Sequence, residues 1–163
     1  MKIIGIDPGS TRAGYGIIDF QGRLPVFIDA GILKISSLDK NERLLELYKS
    51  FQSIIKKYSL DAAGVEKLYF VKNIKTGIEV SQSRGVIILC LQEKKIPIKE
   101  YTPLEIKQGV CGYGGADKSA ITKMVRSILK IEDLKQPDDV YDALGIALVT
   151  GYSMLTDQRN YPH

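Results

Sequence analysis

The chain has 163 residues and a mass of 18.1 kDa; 44% of the residues are hydrophobic and 26% charged, with 23 Lys+Arg against 19 Asp+Glu, two Cys, one His and no Trp. At about 150 residues per domain this is one domain able to bury roughly 70% of its unfolded surface, and the composition excludes collagen-like, disordered and disulfide-framework chains. Charge is unevenly spread: residues 1–66 carry 9 basic and 8 acidic residues, 67–130 carry 12 and 5, and 131–163 carry 2 and 6.

Cys90 lies in an apolar run and Cys111 beside a glycine. They lack the paired spacing of a zinc site and read as free thiols in a reducing cytosol. Asp7 and the Pro8-Gly9 turn interrupt the apolar opening before a signal-peptide core can form, and the longest apolar run, Val86 to Leu91, falls far short of the roughly 20 residues that span a bilayer. The expectation is a soluble protein with no membrane partner.

Lys2 to Asp7 reads as a buried strand and Gly14 to Phe20 as a second, with a turn between them. Val26 to Lys34 follows Gly22 and Pro25, so three strands joined by short turns predict an antiparallel meander. From Asn41 the period changes: Leu44, Leu45, Tyr48, Phe51, Ile54, Ile55 and Tyr58 recur at helical spacing. Ala62 to Glu66 has the length of a short buried strand only. Residues 74 to 93 read as a long helix whose face of Ile78, Gly85, Ile88 and Leu89 also carries Ser81 and Gln82, a mixture that suits either a core helix or a seam between two copies. Ile96 to Tyr101 predicts a fifth strand, Pro103 to Gln108 a short helical turn, 109–115 a glycine-rich loop, and Asp117 a cap for a helix over 118–130. The last helix begins near Pro137 and runs through Leu155. The sequence thus predicts a single domain over 1–155, a polar, frayed tail over 156–163, and an α/β architecture: a five-stranded mixed sheet with helices on both faces.

Four carboxylates stand out. Asp7 closes the first strand and Glu66 the fourth, so if these strands are neighbours both acids emerge at one edge of the sheet. Asp139 and Asp142, three apart in the first turns of the last helix, share a face and can join them. Taken singly, each has a plain explanation: Asp7 as a turn residue, Glu66 as a surface partner of Lys67, and Asp138, Asp139 and Asp142 as partners of a helix N-terminal dipole. Together they point elsewhere, because several acids drawn against an apolar core cannot all stay ionised without a cation. Oxygen-only ligands select Mg²⁺ or Mn²⁺ over zinc, for which the single His, last in the chain, offers no help. Two such ions about 3.5–4 Å apart suit phosphodiester hydrolysis. With the four acids masked, 23 basic residues face 15 acidic ones, a surface that attracts nucleic acid.

The ordered set Ile3-Ile-Gly-Ile-Asp-Pro-Gly9, Gly14-Tyr-Gly16, Gly64-Val-Glu66, Lys72-Asn73, Ser83-Arg-Gly85, Lys107-Gln108, Lys118-Ser119 and Asp139-Val-Tyr-Asp-Ala-Leu144 resembles the RuvC family of bacterial Holliday junction resolvases, over residues 1 to about 152. The resemblance implies a ribonuclease H-like fold and a cytoplasmic, Mg²⁺-dependent crossover junction endodeoxyribonuclease of DNA recombination and repair. Such an enzyme is a homodimer that nicks symmetric strands of a four-way junction and works with the RuvA–RuvB branch-migration motor. It implies Asp7, Glu66, Asp139 and Asp142 as ligands of two Mg²⁺ per site, with Mn²⁺ able to substitute, and Lys107 and Lys118 near the scissile phosphate. Tyr69 falls where the family has an aromatic residue meeting opened bases, a stacking contact of roughly 1–3 kcal/mol per base, and Phe70 beside it can exchange roles with it. Lys72, Lys75 and Arg84 correspond to phosphate-backbone contacts. Asp138 is a second candidate beside Asp139, whose spacing to Asp142 matches the family motif better.

Other classes share parts of this pattern. Sugar kinases and actin-like ATPases share the fold but need two related domains to enclose ATP. A non-catalytic junction-binding protein would keep the basic middle and lose one or more acids. A different ribonuclease H-like nuclease, acting on RNA or other branched DNA, is disfavoured by Tyr69, Lys107 and Lys118 together.

Overall fold

The computed structural model describes residues 1–37, 39–68 and 74–160. Strands β1 (Lys2–Asp7), β2 (Arg12–Gln21), β3 (Leu24–Lys34), β4 (Ala62–Glu66) and β5 (Ile98–Tyr101) form one sheet in the order β3-β2-β1-β4-β5. β1 pairs antiparallel with β2 and parallel with β4, which makes β1 the strand where the sheet changes sense. Helices α1 (Lys40–Lys57) and α2 (Ile74–Glu93) cover one face; α3 (Pro103–Cys111), α4 (Lys118–Leu129) and α5 (Asp138–Asn160) cover the other.

The alternation of β1 feeds both cores: Ile4 and Ile6 pack towards α1 and α2, and Ile3 towards α5. Burial on both faces is why the strand reads as a continuous apolar run. Pro25 is tolerated inside β3 because that strand lies at the sheet's end.

Helix starts follow local chemistry. Asp39 accepts hydrogen bonds from the Asn41 and Glu42 amides at 2.8 and 2.9 Å. Thr102 and Glu105 form a capping box in front of Pro103, and Asp117 accepts from the Ala120 amide at 2.7 Å.

Several expected boundaries move. β5 starts at Ile98, after Pro97, which has no amide to give a ladder; α3 runs to Cys111 and ends on Gly112 in the left-handed region (φ 83°). α5 continues to Asn160, so residues 156–160 are helical where a frayed tail was expected. The reason is a tertiary anchor: Lys99 of β5 donates to Ser153 Oγ at 2.9 Å and pairs with Asp157. In α2 the core takes Gly77, Ser83, Ile87, Cys90 and Leu91, so the face of Ile78, Gly85 and Leu89 looks outward. Both cysteines are free thiols. Among the described residues no helix is long and apolar enough to cross a membrane.

Candidate active site

The parallel pairing of β1 with β4 matches Ile6 to Val65, which leaves Asp7 and Glu66 side by side at the ends of adjacent strands. Period-two alternation puts them on the same face as Gly5 and Gly64, two residues earlier in each strand. That face belongs to α5, and the glycines let it come close: a Cβ at Gly5 would strike the Ala143 carbonyl, and one at Gly64 the Thr150 hydroxyl. α5 therefore lies directly on the central strands, with Asp142 over the two strand-end acids. Gly14 of β2 makes the same approach to the backbone of Asp139 and fixes the height of the helix's first turn.

The start of α5 is held from the other side as well. The buried Tyr141 hydroxyl donates to the Leu134 carbonyl, and Arg126 of α4 donates to that hydroxyl at 2.8 Å and to the same carbonyl at 3.1 Å. These bonds lock the α4–α5 connection and tie the helix carrying Lys118 to the helix carrying Asp142.

Asp7, Glu66 and Asp142 line one cleft of about 350 Å³ with Pro103, Ile106, Lys107, Lys118 and Ile121. Burial, reinforced by the charges of Glu66, Asp142 and Asp139 and opposed by Lys118, pushes the Asp7 carboxyl up to about 8. Burial and Asp142 push Glu66 up to about 7, with Lys118 and a hydrogen bond from Asp7 pulling the other way. Asp142 is raised by burial against the pull of Lys118, whose Nζ lies 3.4 Å from Asp142 Oδ2; that carboxylate in turn raises the Lys118 ammonium.

Asp139 faces Arg12, whose Nε is 2.6 Å from Asp139 Oδ2. No N–H points along that line, so this buried oxygen carries an ion-pair partner but no hydrogen-bond donor. Asp138 lines a neighbouring groove with Lys123, Arg126 and Glu132, which shares Lys118 with the cleft of Asp7, Glu66 and Asp142; neither Asp138 nor Asp139 lines that cleft itself.

Among the described residues no three carboxylates form a ready-made ligand set for a metal ion. The donor chemistry nevertheless suits a hard divalent cation: oxygen donors only, two half-buried carboxyls raised chiefly by burial, and an oxygen of Asp139 without a donor.

Of the other expected site residues, Lys107 lines the cleft and Lys75 is exposed on the first turn of α2. Arg84 donates from Nε to the Glu66 carbonyl at 3.2 Å and pairs its guanidinium with Glu100. It braces the strand end that carries Glu66. Tyr69, Phe70 and Lys72 lie outside the described residues. Arg12 escaped the sequence reading; only the approach of β2 to α5 brings it to an acid. Gly5 and Gly64 did carry a readable signal, each standing two residues before a strand-end acid.

Residues 3–150 match the family model described as crossover junction endodeoxyribonuclease RuvC. A protein of that name from Petrotoga mobilis is 45% identical over 152 residues, covering 93% of both chains, and one from Caldicellulosiruptor saccharolyticus is 47% identical over 150 residues, covering 91% of this chain and 90% of its own. The structure is similar to that of Thermus thermophilus RuvC in complex with a Holliday junction substrate, with a TM-score of 0.90, 26% identity and 96% of each chain covered. Sequence match and fold agree, and the chain belongs to the RuvC family of crossover junction endodeoxyribonucleases.

Proposed function

We propose that this chain is a structure-specific endonuclease that resolves Holliday junctions by hydrolysing phosphodiester bonds in two symmetric strands. The observation that carries the reading is the convergence of Asp7, Glu66 and Asp142, from three elements far apart in sequence, on one cleft walled by Lys107 and Lys118. Asp7, Glu66, Asp142 and Asp139 would hold two Mg²⁺, with Mn²⁺ able to substitute. When bound, this pair supplies an activated water and neutralises the departing oxygen.

The chain's own residues do the rest. Asp7 and Glu66 are half-buried in the cleft, so positive charge beside them acts in a medium of reduced polarity. Lys118 opens α4, where its ammonium and the helix's free amides together favour a phosphate, and Lys107 brings a second charge from α3. Lys72 and Lys75 are assigned to backbone phosphates flanking the crossover, and Tyr69 with Phe70 to stacking on its opened bases.

Two nicks need two sites. The outward stripe of α2 supports a homodimer: Ile78 is 56% and Leu89 55% exposed, and a Cβ at Gly85 between them would meet nothing. Partnership with the RuvA–RuvB motor and action in the cytoplasm follow from the same reading.

The test is incubation of the full chain with a synthetic mobile four-way junction, with and without Mg²⁺. Paired symmetric nicks are expected only with the ion. Asp7→Asn is expected to lower nicking by at least about a thousandfold while junction binding in EDTA stays intact. Unchanged nicking by that variant, or equal nicking of linear duplex, would refute the assignment.

A further inference from the structure

We propose that Arg12 is the cation a divalent ion must displace from Asp139, and that substrate phosphate draws it away, so that metal loading is coupled to the arrival of DNA. The proposal rests on reading the acids as a divalent-metal site and adds a role for a residue outside them. Arg12 opens β2, just past the turn that follows Asp7. Its side chain is 58% exposed, and its Nε stands 2.6 Å from Asp139 Oδ2.

A guanidinium at that distance and a divalent ion on the same carboxylate oxygen are two positive charges within a few ångströms of each other, and they repel strongly. One of them has to move. Asp139 is the fixed partner, because its backbone lies against Gly14 with no space even for a methyl group. Arg12 is the mobile one: its side chain is long, largely in solvent, and held by charge without an aligned hydrogen bond. A phosphate offers a guanidinium the paired, linear hydrogen bonds that Asp139 does not. By linkage, whatever DNA gains for the ion by removing Arg12, the ion gains for DNA.

The test uses the full chain and MnCl₂ as the probe, followed by titration calorimetry without DNA. Arg12→Gln is expected to bind Mn²⁺ about tenfold more tightly than the wild type. Arg12→Lys, which keeps the charge, should stay within about threefold. A second measurement compares junction affinity in Ca²⁺ and in EDTA by fluorescence anisotropy; the gain from the ion should be about tenfold smaller in Arg12→Gln than in the wild type. Equal or weaker Mn²⁺ binding by Arg12→Gln, with normal binding by the wild type, overturns the role of Arg12 and leaves the metal site standing. An undiminished gain in junction affinity overturns the exchange with phosphate. Failure of both proteins to bind Mn²⁺ overturns the metal-site reading and the proposal with it.

Discussion

Asp7 has its carboxyl pushed from the ordinary 3.8 to about 8, chiefly by burial, and Glu66 from 4.5 to about 7. Both groups keep their protons in the folded chain at pH values where the unfolded chain has lost them. The stability they contribute is fully present below about pH 4 and drains away as pH rises towards 7 and 8. In EDTA, therefore, the melting temperature of the wild type should fall between pH 4 and pH 8, and a divalent ion should restore more of it at pH 8 than at pH 5. Asp7→Asn removes the larger part of this slope and should melt about 3–6 °C above the wild type at pH 8 in EDTA, with little difference near pH 4. Differential scanning fluorimetry across that range checks both signs; a wild-type melting temperature that rises with pH would contradict them. At this scale the acids were legible in the sequence, because a carboxylate at the end of an apolar strand is out of place. Arg84 and Arg12 were not: a basic residue looks the same in sequence whether it meets Glu100, Asp139 or solvent.

The helix that carries Asp139 and Asp142 owes its position to what the sheet lacks. Strand glycines are a local liability, yet Gly5, Gly14 and Gly64 leave the space α5 fills. Gly14→Ala would push the first turn of α5 off β2, with an overpacking cost of about 1–3 kcal/mol. The melting temperature should drop by about 3–10 °C. Nicking should fall by more than about tenfold at a temperature where the variant is still folded, because a ligand held an ångström out of place cannot serve. Wild-type nicking rates in a folded Gly14→Ala would show that the close approach is packing only. Element type and order were readable throughout, and the bounds of β1, β4 and α2 were read correctly, because turn residues and changes of period mark them. The lengths of α3 and α5 and the buried side of α2 were not, since Gly109 against Val149, Lys99 against Asp157 and the choice of Ile87 over Leu89 for the core are decided by partners distant in sequence.

At the level of the whole molecule, the outward face of α2 is the place where a second copy can bury apolar area that this fold leaves wet. Leu89→Glu is expected to abolish the proposed dimer in sedimentation velocity while leaving the melting temperature within about 2 °C, because the residue is half in solvent. Paired nicks should then give way to isolated ones; a variant that stays dimeric places the interface elsewhere. The anchor of Lys99 on Ser153 and Asp157 bears on handling the protein. β5 is the last strand of the sheet, and Lys99, one of two charges at its middle, is drawn under the closing turns of α5. Trimming the chain at Leu155, where the sequence alone suggests a harmless cut, deletes Asp157 and loosens the cover beside a strand with unpaired amides. Light scattering on warming should rise earlier for the shortened chain, although every acid of the cleft is still in place.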